Sequence, residues 1–121
     1  MTRKREHIDY LRDVLEAAGK ARQFLEGVSF SEFRANEEKI YAVVRALEII
    51  GEATSHIPAS VRTRYPELPW PEIVGMRNKL VHEYFGVDLE VVWRAVHDDL
   101  PPLEASISRV LADEVSRKKP G

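Results

Sequence analysis

Apolar residues recur at three- and four-residue steps along most of this chain, and each stretch of that rhythm predicts a helix. From about Arg5 to Glu26, the residues Ile8, Leu11, Leu15, Ala18 and Leu25 share a face, with Glu, Arg and Lys between them. Gly27 is placed to end this helix, and Ser29 to Arg34 reads as a connector from which Phe30 and Phe33 tuck back against the bundle. A second helix is expected from Asn36 to His56, with Asn36 as its cap and Glu37 and Glu38 in the first turn, where the helix dipole favours acidic groups. Its apolar arc is broad, taking in Ile40, Val43, Val44, Ala46, Leu47, Ile50 and Ala53, so burial on more than one side is expected. Tyr41, Arg45, Glu48 and Glu52 line up on the opposite stripe. They form either a solvated face of weak helical ion pairs or a site in which Glu48 or Glu52 meets Arg77.

The stretch Ile57 to Trp70 carries three prolines and cannot be one helix, although a short turn after Pro58 is expected. Arg62 and Arg64 within it read as surface residues, with contact to a phosphate backbone as the alternative, and Trp70 as a plug for the core. A third helix is expected from Pro71 to Tyr84, closing near Gly86. Asp88 then caps a fourth, whose Leu89, Val92, Trp93 and Val96 make a narrow apolar stripe. Asp99, Pro101 and Pro102 open a fifth segment, because prolines are tolerated in a first turn, and Leu103, Ile107, Val110 and Leu111 continue the core. No alternation long enough for a strand interrupts these elements. The expectation is an all-α bundle of four to five helices, a single domain over residues 1–115 with a basic, disordered tail over 116–121.

The third helix carries the densest chemistry. On a regular wheel, Ile73, Met76, Leu80, Val81 and Tyr84 form an apolar arc with Arg77 near its middle. A guanidinium there needs a carboxylate or a ligand phosphate to offset its desolvation. Gly75, Asn78 and His82 fall on a second face, where the glycine would let another backbone approach.

Composition narrows the options. The chain has 121 residues, of which 44% are apolar, enough for one core. Its net charge of −2 argues against a protein that coats nucleic acid by charge alone. There is no cysteine, hence no disulfide or thiolate metal site, and the four histidines at 7, 56, 82 and 97 show no ligand spacing. The basic start is not followed by an apolar signal region, and no stretch is long enough to span a membrane. A cytoplasmic protein is expected, without membrane, metal or cofactor.

Arginine, histidine and tyrosine close together suit work on a phosphodiester. Histidine can take a proton from a ribose 2′-hydroxyl or give one to the leaving oxygen, and arginine can hold the charge that builds on the phosphoryl oxygens. Such chemistry requires no metal. Arg77 and His82 diverge by about 140° on a regular helix, so one copy makes an awkward site. Two copies sharing a cleft about a dyad would make a better one.

The string Arg77-Asn78-Lys79-Leu80-Val81-His82-Glu83-Tyr84 resembles the R-x-x-x-x-H-x-Y pattern of the HepT-like branch of the HEPN superfamily. The context is similar as well: LEIIGEA at Leu47 to Ala53, YPELPW at Tyr65 to Trp70, and DLPPL at Asp99 to Leu103. The resemblance implies a dimerising, HEPN-like helical bundle that acts as a metal-independent endoribonuclease toxin in a type VII-like toxin–antitoxin pair. It assigns cleavage to Arg77 and His82, with Asn78 in support. Glu48 and Glu52 are further supporting candidates from the helical stripe. The partners it implies are RNA, a second copy of the chain with higher oligomers open, and a minimal nucleotidyltransferase antitoxin that adds AMP to Tyr84. A competing reading keeps the motif but not the chemistry, as a helical interaction module that binds the nucleotidyltransferase or a nucleotide. A plain structural bundle, with Arg77 as an internal ion pair, predicts instead that Arg77→Ala is strongly destabilising.

Overall fold

A computed structural model describes residues 4–77 and 88–118. The described residues are predominantly helical and contain no strand. The long helices are α1 (His7–Phe24), α3 (Glu37–Ser55) and α7 (Leu100–Lys118), joined by the short helices α2 (Phe30–Arg34), α4 (Ala59–Arg62), α5 (Trp70–Val74) and α6 (Leu89–Arg94). The all-α expectation therefore holds.

α1 packs along α3 on one side and α7 on the other. Leu11, Val14, Ala18 and Ala21 of α1, Val43, Leu47 and Ile50 of α3, and Leu100, Ile107 and Val110 of α7 fill the shared core. Ala17, Ala18 and Ala21 of α1 are buried in the same core. Asn36 caps α3 as expected, its side chain accepting from the Lys39 amide at 3.1 Å. Lys39 in turn donates to the Phe24 carbonyl at the end of α1, 3.1 Å away, and so ties the two helices together. Gly27, with φ 71°, supplies the left-handed turn between α1 and α2.

Three local expectations need correction. Ser29 to Arg34 is not merely a connector. Ser29 accepts from the Glu32 amide at 3.1 Å while Glu32 accepts from the Ser29 amide at 3.0 Å, a capping box that starts α2. The helix buries Phe33 and packs Phe30 edge-on against Trp93 at 5.6 Å.

The fourth and fifth segments are also continuous. α6 passes into a π-helical turn over Ala95–Asp99 and thence into α7, with the Leu100 amide donating to the Ala95 carbonyl five residues back. Prolines at 101 and 102 have no N–H to give and would collide with carbonyls four residues earlier in a regular helix. The wider turn directly before them relieves that conflict, so the prolines bend the hydrogen-bond ladder without ending it. Third, α7 runs on to Lys118, so Ser116, Arg117 and Lys118 are helical where a frayed tail was expected.

A buried carboxylate anchors this end of α7. Glu114 is only 1% exposed, and it accepts from Arg64 Nη2 at 2.6 Å and Nε at 3.1 Å while His7 Nε2 lies 2.9 Å away. The Tyr65 hydroxyl sits between Glu114 and Asp113. Burial alone would push the Glu114 carboxyl up, but the hydrogen bonds from Arg64 and Tyr65 win and bring it down to about 2. Burial raises the Tyr65 phenol, and the neighbouring carboxylates Asp113 and Glu114 raise it further. This cluster fastens α1, the proline-rich stretch and α7 to one another. Arg64 is thus a structural cation, and so is Arg62, which donates to the Thr54 and Ile57 carbonyls at 2.9 Å each and closes the end of α3. Neither is the idle surface residue expected.

Candidate functional site

Trp70, buried as expected, donates from Nε1 to the Tyr65 carbonyl at 2.9 Å and fixes where α5 begins. Pro71 sits in the first turn of α5, which buries Ile73 against α3. At Gly75 the coil tightens into a 3-10 turn over Gly75–Arg77. Each residue there advances by about 120° and not 100°, so by Arg77 the side chain has swung roughly 60° out of the apolar arc that a regular helix would give it. Arg77 is accordingly not in the core. Its side chain is 38% exposed, and Nη1 donates to Glu52 Oε2 at 2.8 Å.

Of the two glutamates that the stripe offered to Arg77, the structure selects Glu52. Glu48 instead lies 4.0 Å from Arg45 on its own helix and does not reach the site. Hydrogen bonds from Arg77, and then from His56, hold the Glu52 carboxyl below its ordinary range. The Arg77–Glu52 pair is exposed and so contributes little to stability, which contradicts the expectation of a buried ion pair whose loss unfolds the protein.

Gly51, next to Glu52, sets how near Arg77 can come. A Cβ at position 51 would stand 2.6 Å from the Arg77 amide nitrogen, 2.8 Å from the Arg77 Cβ and 2.8 Å from the Val74 carbonyl. The backbone carrying the arginine therefore rests directly on α3, and only glycine permits it. Gly75 had been expected to let a second helix or a second subunit approach; within the described residues of one chain a Cβ there meets nothing within 4 Å, so no second helix rests on it. The signal for Gly51 was present in the sequence: a glycine inside a strongly apolar helix costs about 1 kcal/mol and is retained where another backbone must approach.

His56 is a second residue that pattern alone did not single out. Its Nε2 lies 3.2 Å from Glu52 Oε1, and its ring stacks on Tyr10 of α1 with centroids 4.8 Å apart and planes 15° from parallel. The Arg5 guanidinium sits over the same tyrosine ring at 4.9 Å. The four-residue spacing of Glu52 and His56 is legible on the helix, but no local signal marks the ring stack, because Tyr10 and His56 meet only once α1 and α3 have packed. Asn78, His82 and Tyr84 lie outside the described residues, as does the remainder of the expected third helix.

A helical bundle with a half-exposed arginine on a carboxylate, which in turn faces a histidine stacked on a tyrosine, defines a class of small α-helical proteins with an accessible cation at the end of α5. The comparisons narrow that class. Residues 14–110 match the family model described as HepT-like, "Ribonuclease HepT-like". The chain is 43% identical over 107 residues to "Probable ribonuclease HepT" of Thermococcus cleftensis, covering 88% of this chain and 97% of that protein. It is 41% identical to "Putative RNase MJ1380" of Methanocaldococcus jannaschii, over 88% of this chain and 98% of the other. A third relative, "Putative RNase TTE0752" of Caldanaerobacter subterraneus subsp. tengcongensis, is 38% identical over 87% of this chain and 94% of its own. No solved structure matches the chain. The chain belongs to the HepT-like ribonuclease family.

Proposed function

We propose that this protein is an endoribonuclease toxin that cleaves RNA without a metal ion, at a site built from two copies of the chain. Family membership supports ribonuclease activity. The observation that carries the site is Arg77, held by Glu52 at 2.8 Å above Gly51 with its guanidinium still open to solvent. A planar fork of donors, fixed in place yet accessible, can take a phosphoryl oxygen on one edge while the carboxylate holds the other. His82 of the same motif, five residues on, supplies the proton transfers in this reading, and Asn78 supports it. Attack of the ribose 2′-hydroxyl on the adjacent phosphorus displaces the 5′-oxygen and leaves a cyclic phosphate.

Control comes from a nucleotidyltransferase partner that attaches AMP to Tyr84. The added phosphate and nucleoside would place negative charge and bulk where RNA must dock. Arg77→Ala and His82→Ala should each abolish cleavage, assayed on total RNA with chelator present, while circular dichroism and mass in solution stay unchanged. Cyclic phosphate ends support the mechanism. Undiminished cleavage by the double variant, or a strict metal requirement, overturns it.

A further inference from the structure

We propose that His56 is a positioning residue for Arg77, acting through Glu52, with Tyr10 holding its ring in place; this rests on the reading of Arg77 as the phosphate-binding cation. Glu52 divides its carboxylate between two partners. Oε2 receives Arg77 at 2.8 Å and Oε1 faces His56 at 3.2 Å. A glutamate engaged on a single oxygen and more than half exposed is free to rotate about its last torsion, and an ion pair to such a group fixes little. A partner on the second oxygen removes that rotation, so the plane of the carboxylate, and with it the direction of the guanidinium, is set.

The second partner must itself be held, and the structure holds it. His56 terminates α3 one turn beyond Glu52, and its ring lies 15° from parallel to that of Tyr10 with centroids 4.8 Å apart. Arg5 covers the tyrosine in turn at 4.9 Å and is paired with Asp13. The row Arg5, Tyr10, His56, Glu52, Arg77 thus runs from α1 across the end of α3 to the site. Arg77 is gripped at both ends, its backbone against Gly51 and its guanidinium against Glu52. The packing of α1 on α3 is in this way transmitted to the aim of one side chain.

The test uses the full-length protein and a defined single-stranded RNA. His56→Ala should lower kcat about tenfold with KM within about twofold, as expected when a group acting in the transition state loses its alignment. His56→Gln, which keeps an N–H donor within reach of Glu52, should recover most of the loss. A second readout follows the Arg77 side-chain Nε–Hε signal by NMR. It should be sharp in the parent, broadened in His56→Ala and restored in His56→Gln. If His56→Ala cuts at the parental rate, or loses activity with the Arg77 signal unaltered, the positioning role is wrong. If the parent protein itself does not cleave RNA, the ribonuclease reading fails, and the Arg77 signal alone still decides whether His56 positions the arginine.

Discussion

One methyl group at position 51 separates a relaxed contact from a strained one. Replacing Gly51 with alanine puts a methyl group at 2.6 Å from the Arg77 nitrogen, against backbone and not against a side chain that could turn away. We expect Gly51→Ala to destabilise the fold by about 1–3 kcal/mol, in the range of an overpacked core, and to reduce cleavage by displacing Arg77. Urea denaturation and an RNA assay on the same preparation measure both. Arg77→Ala should separate the two effects. With its pair to Glu52 exposed, the melting temperature should stay close to the parental one while cleavage is lost. At this scale the sequence announced the arginine and offered Glu52 as one of two partners. It placed the arginine in the core only because a regular helix was assumed where a 3-10 turn occurs.

Among the elements, periodicity and caps were reliable guides. α1 and α3 lie within two residues of their expected ends, and Asn36 caps α3 through its own side chain. What the pattern could not reveal was anything that depends on residues distant in sequence. Arg64 and Glu114 are fifty positions apart, and nothing local in either segment marks them as partners. Their cluster yields a pH prediction. A carboxyl whose ordinary value is 4.5 and whose folded value is about 2 binds its proton more readily in the unfolded chain. Its stabilisation is therefore complete above about pH 4.5 and is lost as pH falls toward 2. Acid titration of the unfolding free energy should show this decline, and Glu114→Gln should flatten it. Glu114→Ala, which strands Arg64 and Tyr65, should cost about 3 kcal/mol at neutral pH by chemical denaturation.

For the molecule as a whole, the proposed site spans two copies, and mixing tests that directly. If one copy lends the arginine and the other the histidine, a heterodimer of inactive Arg77→Ala with inactive His82→Ala regains one intact site. Random re-pairing should then restore roughly a quarter of parental cleavage. A mixture that stays inactive would mean that each site is completed within one chain or needs all four groups. The paired arrangement was argued from the angular separation of Arg77 and His82 on one helix, whereas the bundle around it was legible from hydrophobic spacing alone.

The π-helical turn at Ala95–Asp99 has a consequence for how such chains can change length. It stores one residue more than a regular turn, yet Val92 before it and Leu103, Ile107 and Val110 after it still face the same core. A lineage could therefore drop one residue here without unthreading the long C-terminal rod from its neighbours. Pro101 and Pro102 would object, and they would have to change along with it.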